Sequence, residues 1–212
     1  MNKLLYVSPE LVFDEKVVII GSSGNLKGSN FGAEIDSYDE VIRFNRAPIK
    51  GHECDVGSKT TLRVVNNHVF DNIDIRNRGF TNQPSNFIRD LRNSKILYIG
   101  PDLGPWNRRE KNTDISNKLF LFHYQNMKKI MKETKFVSPK NLSVGAATVS
   151  LCILSGLKPR LVGFDIAGGP RTHYWEERPP AGKCHSPTDE HRWLSVLAKQ
   201  NKILLGLNEN LH

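Results

Sequence analysis

The sequence predicts an α/β fold, a sandwich of helices around a mostly parallel β-sheet. Strand-like runs of Val, Ile, Leu and Phe alternate with helix-like segments along most of the chain. The first of these runs opens directly into a glycine-rich turn, GSSGNLKGSNFG, the kind of turn at which open α/β sheets bind ligands. Size agrees with the class. At 212 residues, 38% hydrophobic and 25% charged, the chain has ordinary globular composition and the length of one domain, taken as residues 1–212.

Each element follows from its local pattern. Lys16–Ile20 (KVVII) is a short apolar run closed by a turn, the mark of a strand buried on both faces. Val41–Asn45 (VIRFN) and Thr60–Val65 (TTLRVV) read as two further strands. A helical stretch around Phe87–Asn93 precedes the strand Lys95–Gly100 (KILYIG). Leu119–His123 is predicted as a strand and Gln125–Glu133 as a helix. Gly145–Leu157 is a helix with small residues crowded at its start, and Arg160–Asp165 (RLVGFD) a strand. Ser186–Asn201 is the last helix and Ile203–Leu207 the final strand.

Composition narrows the function classes. Thirty Lys+Arg against twenty-two Asp+Glu give a net charge of +8, which favours anionic partners. The basic residues are spread out, with modest clusters at Trp106–Lys111 and Lys128–Lys135, and no long basic helix or RNA-binding signature is present, so nucleic acid is not the expected partner. The N-terminal MNKLLYVSPELVFDEK has no apolar signal-peptide core, and no run reaches the ~18 apolar residues of a membrane span. Cys54, Cys152 and Cys184 show no framework spacing. These features lead to the expectation of a cytoplasmic protein without stable membrane insertion, in which the Asn141-Leu142-Ser143 sequon is not used.

Three constellations carry chemistry. In the first, glycines 21, 24, 28 and 32 follow a strand, with Ser22, Ser23 and Asn25 adding hydrogen-bonding groups to the sheet's lip. The spacing is neither the dinucleotide G-x-G-x-x-G nor a P-loop. In the second, LSVGAAT (Leu142–Thr148), Ser143 can cap a helix whose first turn holds Gly145, Ala146 and Ala147, leaving amides open to an anion. The third is RTHYWEERPPAGKCHSPTDEHRW (Arg171–Trp193), which holds three of the seven histidines. Ser186-Pro187-Thr188-Asp189 reads as a helix start, so His185 directly precedes the helix and Glu190 lies in its first turn. The helix dipole opposes a charged imidazole and Glu190 favours one, two opposing pulls that suit a proton-exchanging base. Zinc ligation by His173, Cys184, His185 and His191, or plain packing, are the rival readings; no H-E-x-x-H or C-x-x-C supports zinc.

Taken together, the stretches show a family likeness. Gly21–Thr61, including EIDS, VIRFNRAP and DVGSKTT, resembles the long sialylmotif of the animal-type sialyltransferases, glycosyltransferase family 29. Leu142–Asp165 is similar to the short motif, ending in GFD where the family has GFG. His173-Tyr174-Trp175-Glu176 resembles motif III, and His185 with Glu190 the very-small motif, in the same order along the chain. The resemblance implies a GT-A-type, Rossmann-like α/β/α fold and an inverting transfer of sialic acid from CMP-sialic acid to a glycan hydroxyl, with neither metal nor cofactor. It implies His185 as general base and His173 as the group that meets the donor phosphate, with Ser23, Asn45, Ser143 and Gly145 at nucleotide-holding positions. Ser22, Asn25 and Val144, within the same motifs, are expected to bind the CMP of the donor as well, and Tyr174, Glu176 and Glu190 to support the site. The chemistry is coherent: a CMP leaving group gains negative charge as its bond breaks, and a histidine and a helix N-terminus can stabilise it. A diphosphate donor more often needs a metal held by Asp-x-Asp, which this chain lacks. Departures accompany the likeness. Ser22 replaces an Asn, Val144 a Ser or Thr, and the cysteines that join the long and short motifs are replaced near Val17 and Gly156, so that disulfide is expected to be absent. Transfer of another CMP-activated acid sugar such as Kdo, or a non-catalytic CMP-binding role, are the alternatives. Asn66–Ser138 is expected to shape the acceptor side, with Trp106, Arg108 and Tyr124 as lining candidates.

Overall fold

The structure is a computed structural model and describes residues 2–8, 10–67, 93–100, 119–165, 173–175 and 185–207. Three two-residue strands open the chain: β1 (Asn2–Lys3), β2 (Val7–Ser8) and β3 (Val12–Phe13). The remaining strands are β4 (Val17–Ile20), β5 (Glu40–Phe44), β6 (Leu62–Asn66), β7 (Lys95–Gly100), β8 (Leu119–His123), β9 (Arg160–Val162) and β10 (Leu204–Leu205). Helices are α1 (Gly32–Asp36), α2 (Glu53–Val56), α3 (Met127–Glu133), α4 (Val144–Leu154) and α5 (Pro187–Lys199).

One sheet of the described residues runs in the order β10-β9-β4-β5-β6-β7-β8-β2. Every pairing in it is parallel except β2 with β8, which is antiparallel. The predicted α/β class and mostly parallel sheet are therefore present. β1 and β3 pair separately, antiparallel.

β4 shows why its sequence is an unbroken apolar run. Successive side chains point to opposite faces, and both faces are covered. Val17 and Ile19 join a core with Ile130 of α3, Ala147 and Leu151 of α4, and Trp193 and Leu197 of α5. Val18 and Ile20 join a smaller core with Leu26, Ile35 of α1 and Val56 of α2. α4 is buried continuously from Ala146 to Cys152, as a central helix must be, and Thr148 and Ser150 donate to the carbonyls of Val144 and Ala146, 2.8 and 3.0 Å. α5 buries one stripe, Glu190, Trp193, Leu194 and Leu197.

The sequence reading differs from the structure at element edges. The β6 strand is Leu62–Asn66 rather than Thr60–Val65, because the hydroxyls of Thr60 and Thr61 bond Arg43 and the Val41 amide across the strand's entrance. β9 stops at Val162 because Gly163 turns to φ +74°. α4 stops at Leu154, before Gly156 at φ +77°. α3 is preceded by a 3₁₀ turn over Tyr124–Asn126, where His123 Nδ1 accepts the Gln125 amide at 3.1 Å. β1 to β3, α1 and α2 were not anticipated; each is too short for a periodic signal. The helix predicted around Phe87–Asn93 lies, apart from Asn93, outside the described residues.

Two arginines sit where alternation would have placed apolar groups. Arg43 and Arg63 face each other in register on β5 and β6 and are 1% and 0% exposed. Arg43 donates to the carbonyls of Lys59 (3.1 Å) and Val56 (2.5 Å), and Arg63 to that of Ala47 (3.1 Å). They hold the loop after β5 against the sheet by satisfying its carbonyls from below. Cys152 is fully buried, its thiol pushed up to about 12 by desolvation, and Cys54 is exposed; both are free.

Candidate active site

β5 to β8 extend from one side of β4, and β9 and β10 from the other. The strand order therefore reverses between β4 and β9, and ligands of open sheets bind outside the carboxyl ends of strands at such a point. The Gly21 amide closes the gap by donating to the Val162 carbonyl at 2.7 Å. A Cβ on Gly21 would lie 2.1 Å from the Gly163 carbonyl oxygen, so only glycine allows the two backbones this approach.

The turn beyond Gly21 is built from its own polar residues. The Ser23 amide donates to the Gly163 carbonyl at 3.1 Å. Ser23 caps a 3₁₀ turn over Gly24–Leu26: its hydroxyl accepts the Asn25 amide at 3.1 Å. The same hydroxyl donates to Asp165 Oδ1, which also accepts from Asn25 Nδ2 at 3.3 Å. On the turn's other side His173 pairs with Ser23 in an antiparallel bridge, and the Tyr174 amide donates to the Ser22 carbonyl at 3.1 Å. Residues 150 positions apart are thus zipped together, and the His173 ring stacks on Trp175, centroids 4.4 Å apart and 13° from parallel. Tyr174 meets the same Trp175 ring edge-on, centroids 4.6 Å apart. It is 4% exposed, packs edge-on to His52 and donates its hydroxyl to the Pro48 carbonyl. Burial pushes that hydroxyl up to about 12.

The adjoining wall comes from β5 and α4. Asn45 ends β5 at φ +43°, its amide donating to the Val64 carbonyl at 2.7 Å and its Oδ1 accepting the Asn66 amide at 3.1 Å. Its Nδ2 has no partner among the described residues. Gly145, in the first turn of α4, faces Phe164 and Phe44, whose rings meet edge to face. Ser143 caps α4, its hydroxyl accepting the Ala146 amide at 3.1 Å. The amides of Val144 and Gly145 have no acceptor among the described residues, which leaves them to an anion.

The third wall is the start of α5. Ser186 caps it by accepting the Asp189 amide at 3.4 Å, with Pro187 first in the helix, as its sequence predicts. Asp189 does not complete a reciprocal box; its Oδ2 accepts from Ser138 at 2.8 Å. Glu190 is 7% exposed and binds Ser143 twice, accepting its amide at 2.6 Å and its hydroxyl at 2.7 Å. Burial raises the Glu190 carboxyl above the usual range, opposed by the two Ser143 bonds and by His185. This pair of bonds ties the cap of α4 to the first turn of α5. His185, half-buried, stands one residue ahead of that turn's cap, and Lys140 Nζ reaches its carbonyl at 3.5 Å.

The structure thus gathers Ser22, Ser23, Asn25 and His173 at one turn, and Ser143, His185 and Glu190 at two joined helix starts. Asp165 and Phe164 connect the two groups, through Ser23 and Gly145 respectively. Glu176, Cys184, Trp106 and Arg108 lie outside the described residues. Tyr124 is 37% exposed and donates to Asn67 Oδ1 at 3.2 Å beyond β8 and β6. Among the described residues no three of His, Cys, Asp and Glu are grouped as metal ligands, and no helix is long and apolar enough to cross a membrane. The sequence marks Asp165 only as the end of GFD, and nothing in it joins Glu190 to Ser143, which lie 47 residues apart.

The family model of glycosyltransferase family 29 (sialyltransferase) matches residues 15–202. CMP-N-acetylneuraminate-beta-galactosamide-alpha-2,3-sialyltransferase 1 of Mus musculus is 29% identical over 208 residues, covering 93% of this chain and 60% of that protein. Beta-galactoside alpha-2,6-sialyltransferase 2 of Xenopus tropicalis is 50% identical over 112 residues, 45% of this chain and 20% of that protein. Among solved structures, that of a mammalian sialyltransferase in complex with Gal-beta-1-3GalNAc-ortho-nitrophenol superimposes with a TM-score of 0.64 at 25% identity, over 90% of this chain and 68% of that one. The chain therefore spans at most about 60% of the length of these curated relatives.

Proposed function

Because the chain belongs to glycosyltransferase family 29, the sialyltransferases, we propose that it transfers sialic acid from CMP-sialic acid to a sugar hydroxyl of a glycan acceptor. The finer reading is an inverting, metal-independent transfer on a GT-A-type, Rossmann-like frame. One observation carries it: the glycine turn at the sheet's reversal point is bridged to His173 and lies beside a capped helix start with open amides, which Glu190 joins to the helix start that His185 precedes.

In this reading the CMP phosphate meets the Val144 and Gly145 amides, Asn45 Nδ2 and His173. These donors stabilise the charge that grows on the phosphate as the sugar–oxygen bond breaks. His185 accepts the proton of the acceptor hydroxyl as its oxygen bonds the anomeric carbon from the opposite face. The proton ends on the imidazole, the electron pair of the broken bond on CMP, and the anomeric centre is inverted. Glu190 holds the two helix starts in register through Ser143, and so positions the base rather than touching substrate.

The test is a donor panel with a base-deficient variant. His185→Ala is expected to lose about 10²- to 10⁴-fold in kcat while CMP affinity changes only a few-fold, because a base acts on the acceptor side. Near-normal turnover by the variant would remove His185 from this role. Initial rates are expected to be unchanged by EDTA; a loss restored by a divalent ion would overturn metal independence. Transfer from CMP-Kdo but not from CMP-sialic acid would replace the donor.

A further inference from the structure

We infer that Asp165 is a specificity-determining residue that reads the ribose of the donor nucleotide, an assignment that rests on the CMP-donor reading above. Asp165 follows β9 at the sheet's reversal point, next to the glycine turn after β4. Two side chains from that turn, Ser23 and Asn25, converge on a single oxygen, Oδ1. Two donors on one oxygen fix the plane of the carboxylate. Oδ2 accepts nothing from the described residues, and no Lys or Arg among them pairs with the group. The carboxylate is half-buried.

A carboxylate oriented in this way needs donors, not an anion. A nucleoside phosphate offers both kinds of group: the phosphate is an acceptor, and the ribose hydroxyls are donors. The amides of Val144 and Gly145 suit the phosphate, whereas Asp165 would repel it. Of the donors CMP carries, the 2′-hydroxyl is the one for Oδ2, rather than the 3′-hydroxyl or the cytosine amino group, because an acidic residue beyond the glycine turn of other nucleotide-binding sheets takes that same hydroxyl. Ser23 is accordingly spent within the protein, its proton on Asp165 and its lone pair on Asn25, and acts by aiming the carboxylate.

The experiment is calorimetric binding of CMP and 2′-deoxy-CMP to the wild type, Asp165→Asn and Asp165→Gly. The wild type is expected to prefer CMP by about 10- to 100-fold, the range of one hydrogen bond to a charged group. Asp165→Gly is expected to narrow the ratio to within about twofold. Asp165→Asn keeps an oxygen for Ser23 and Asn25 but turns an amide donor to the sugar, so its ratio falls as well, with thermal melting reporting that the fold is kept. Equal wild-type affinity for the two nucleotides overturns the assignment. So does a loss in the variants that is the same for both, the outcome of a purely structural role. If the wild type binds no CMP at all, the donor reading fails and takes this assignment with it.

Discussion

Glu190 shows how one residue's environment becomes a measurable property. Its carboxylate is buried and its folded-state titration lies above the ordinary range. A group shifted this way gives stability that is complete below its unfolded value and is lost as pH rises through the folded one. Glu190→Gln, which keeps an acceptor for the Ser143 amide without the charge, is therefore expected to gain on the wild type in melting temperature as pH rises from the ordinary carboxylate range through the raised value. A difference that is flat with pH would contradict the burial argument. Gly21 makes a second claim at this scale. Gly21→Ala places a methyl 2.1 Å from the Gly163 carbonyl oxygen, which is backbone and cannot rotate away. The cost is expected to reach at least about 3 kcal/mol, the upper part of the range for overpacking, read as a shifted denaturation midpoint. Residue identity at these points was legible as glycine and carboxylate, but their partners were not, because Gly163 and Ser143 are distant in sequence.

At the scale of elements, the long glycine-to-threonine stretch turns out to be largely a folding unit. Asp36, at the end of α1, accepts from the Ser58 amide (2.9 Å), the Ser58 hydroxyl (2.7 Å) and the Lys59 amide (2.9 Å). Asp55, in α2, accepts from the Gly28 and Asn30 amides at 2.8 and 3.0 Å. Burial pushes the Asp36 carboxyl up, but the Ser58 and Lys59 bonds outweigh it and hold it below its usual value. Its stabilisation is present above the ordinary carboxylate range and fades as pH falls through the lowered value. Asp36→Ala is expected to cost about 1–3 kcal/mol at neutral pH, roughly 2–4 °C in Tm per kcal/mol, with the gap to the wild type closing in acid. β4 and β7 were legible because a buried parallel strand advertises itself as an apolar run, and β5 and β6 remained legible because Val, Ile and Leu flank their single arginines. α1 and α2, at five and four residues, are fixed by these aspartates and by glycine approaches, neither of which has a period to read.

For the whole molecule, the sequence carried the class, the strand order's parallel character and the family, since these depend on patterns spread over the chain. It did not carry the convergence of the site, which depends on loops: Asp165 beside Ser23 and Glu190 beside Ser143 are products of the sheet's reversal. Nor did it carry the N-terminal contribution. β2 lies antiparallel along β8, and Leu4, Val7, Leu11 and Phe13 sink into the main core around it. Removing residues 1–10 is therefore expected to produce soluble aggregates on light scattering at concentrations where the intact chain stays monodisperse. The far rim is guarded differently: β10 has only two residues and is followed by Gly206, whose carbonyl Arg160 takes at 2.7 Å. A stack of parallel strands with one bare margin is a template on which foreign chains can polymerise. Here a few residues at the start of the chain act as a selvedge, finishing the fabric on the side where it would otherwise unravel into fibrils.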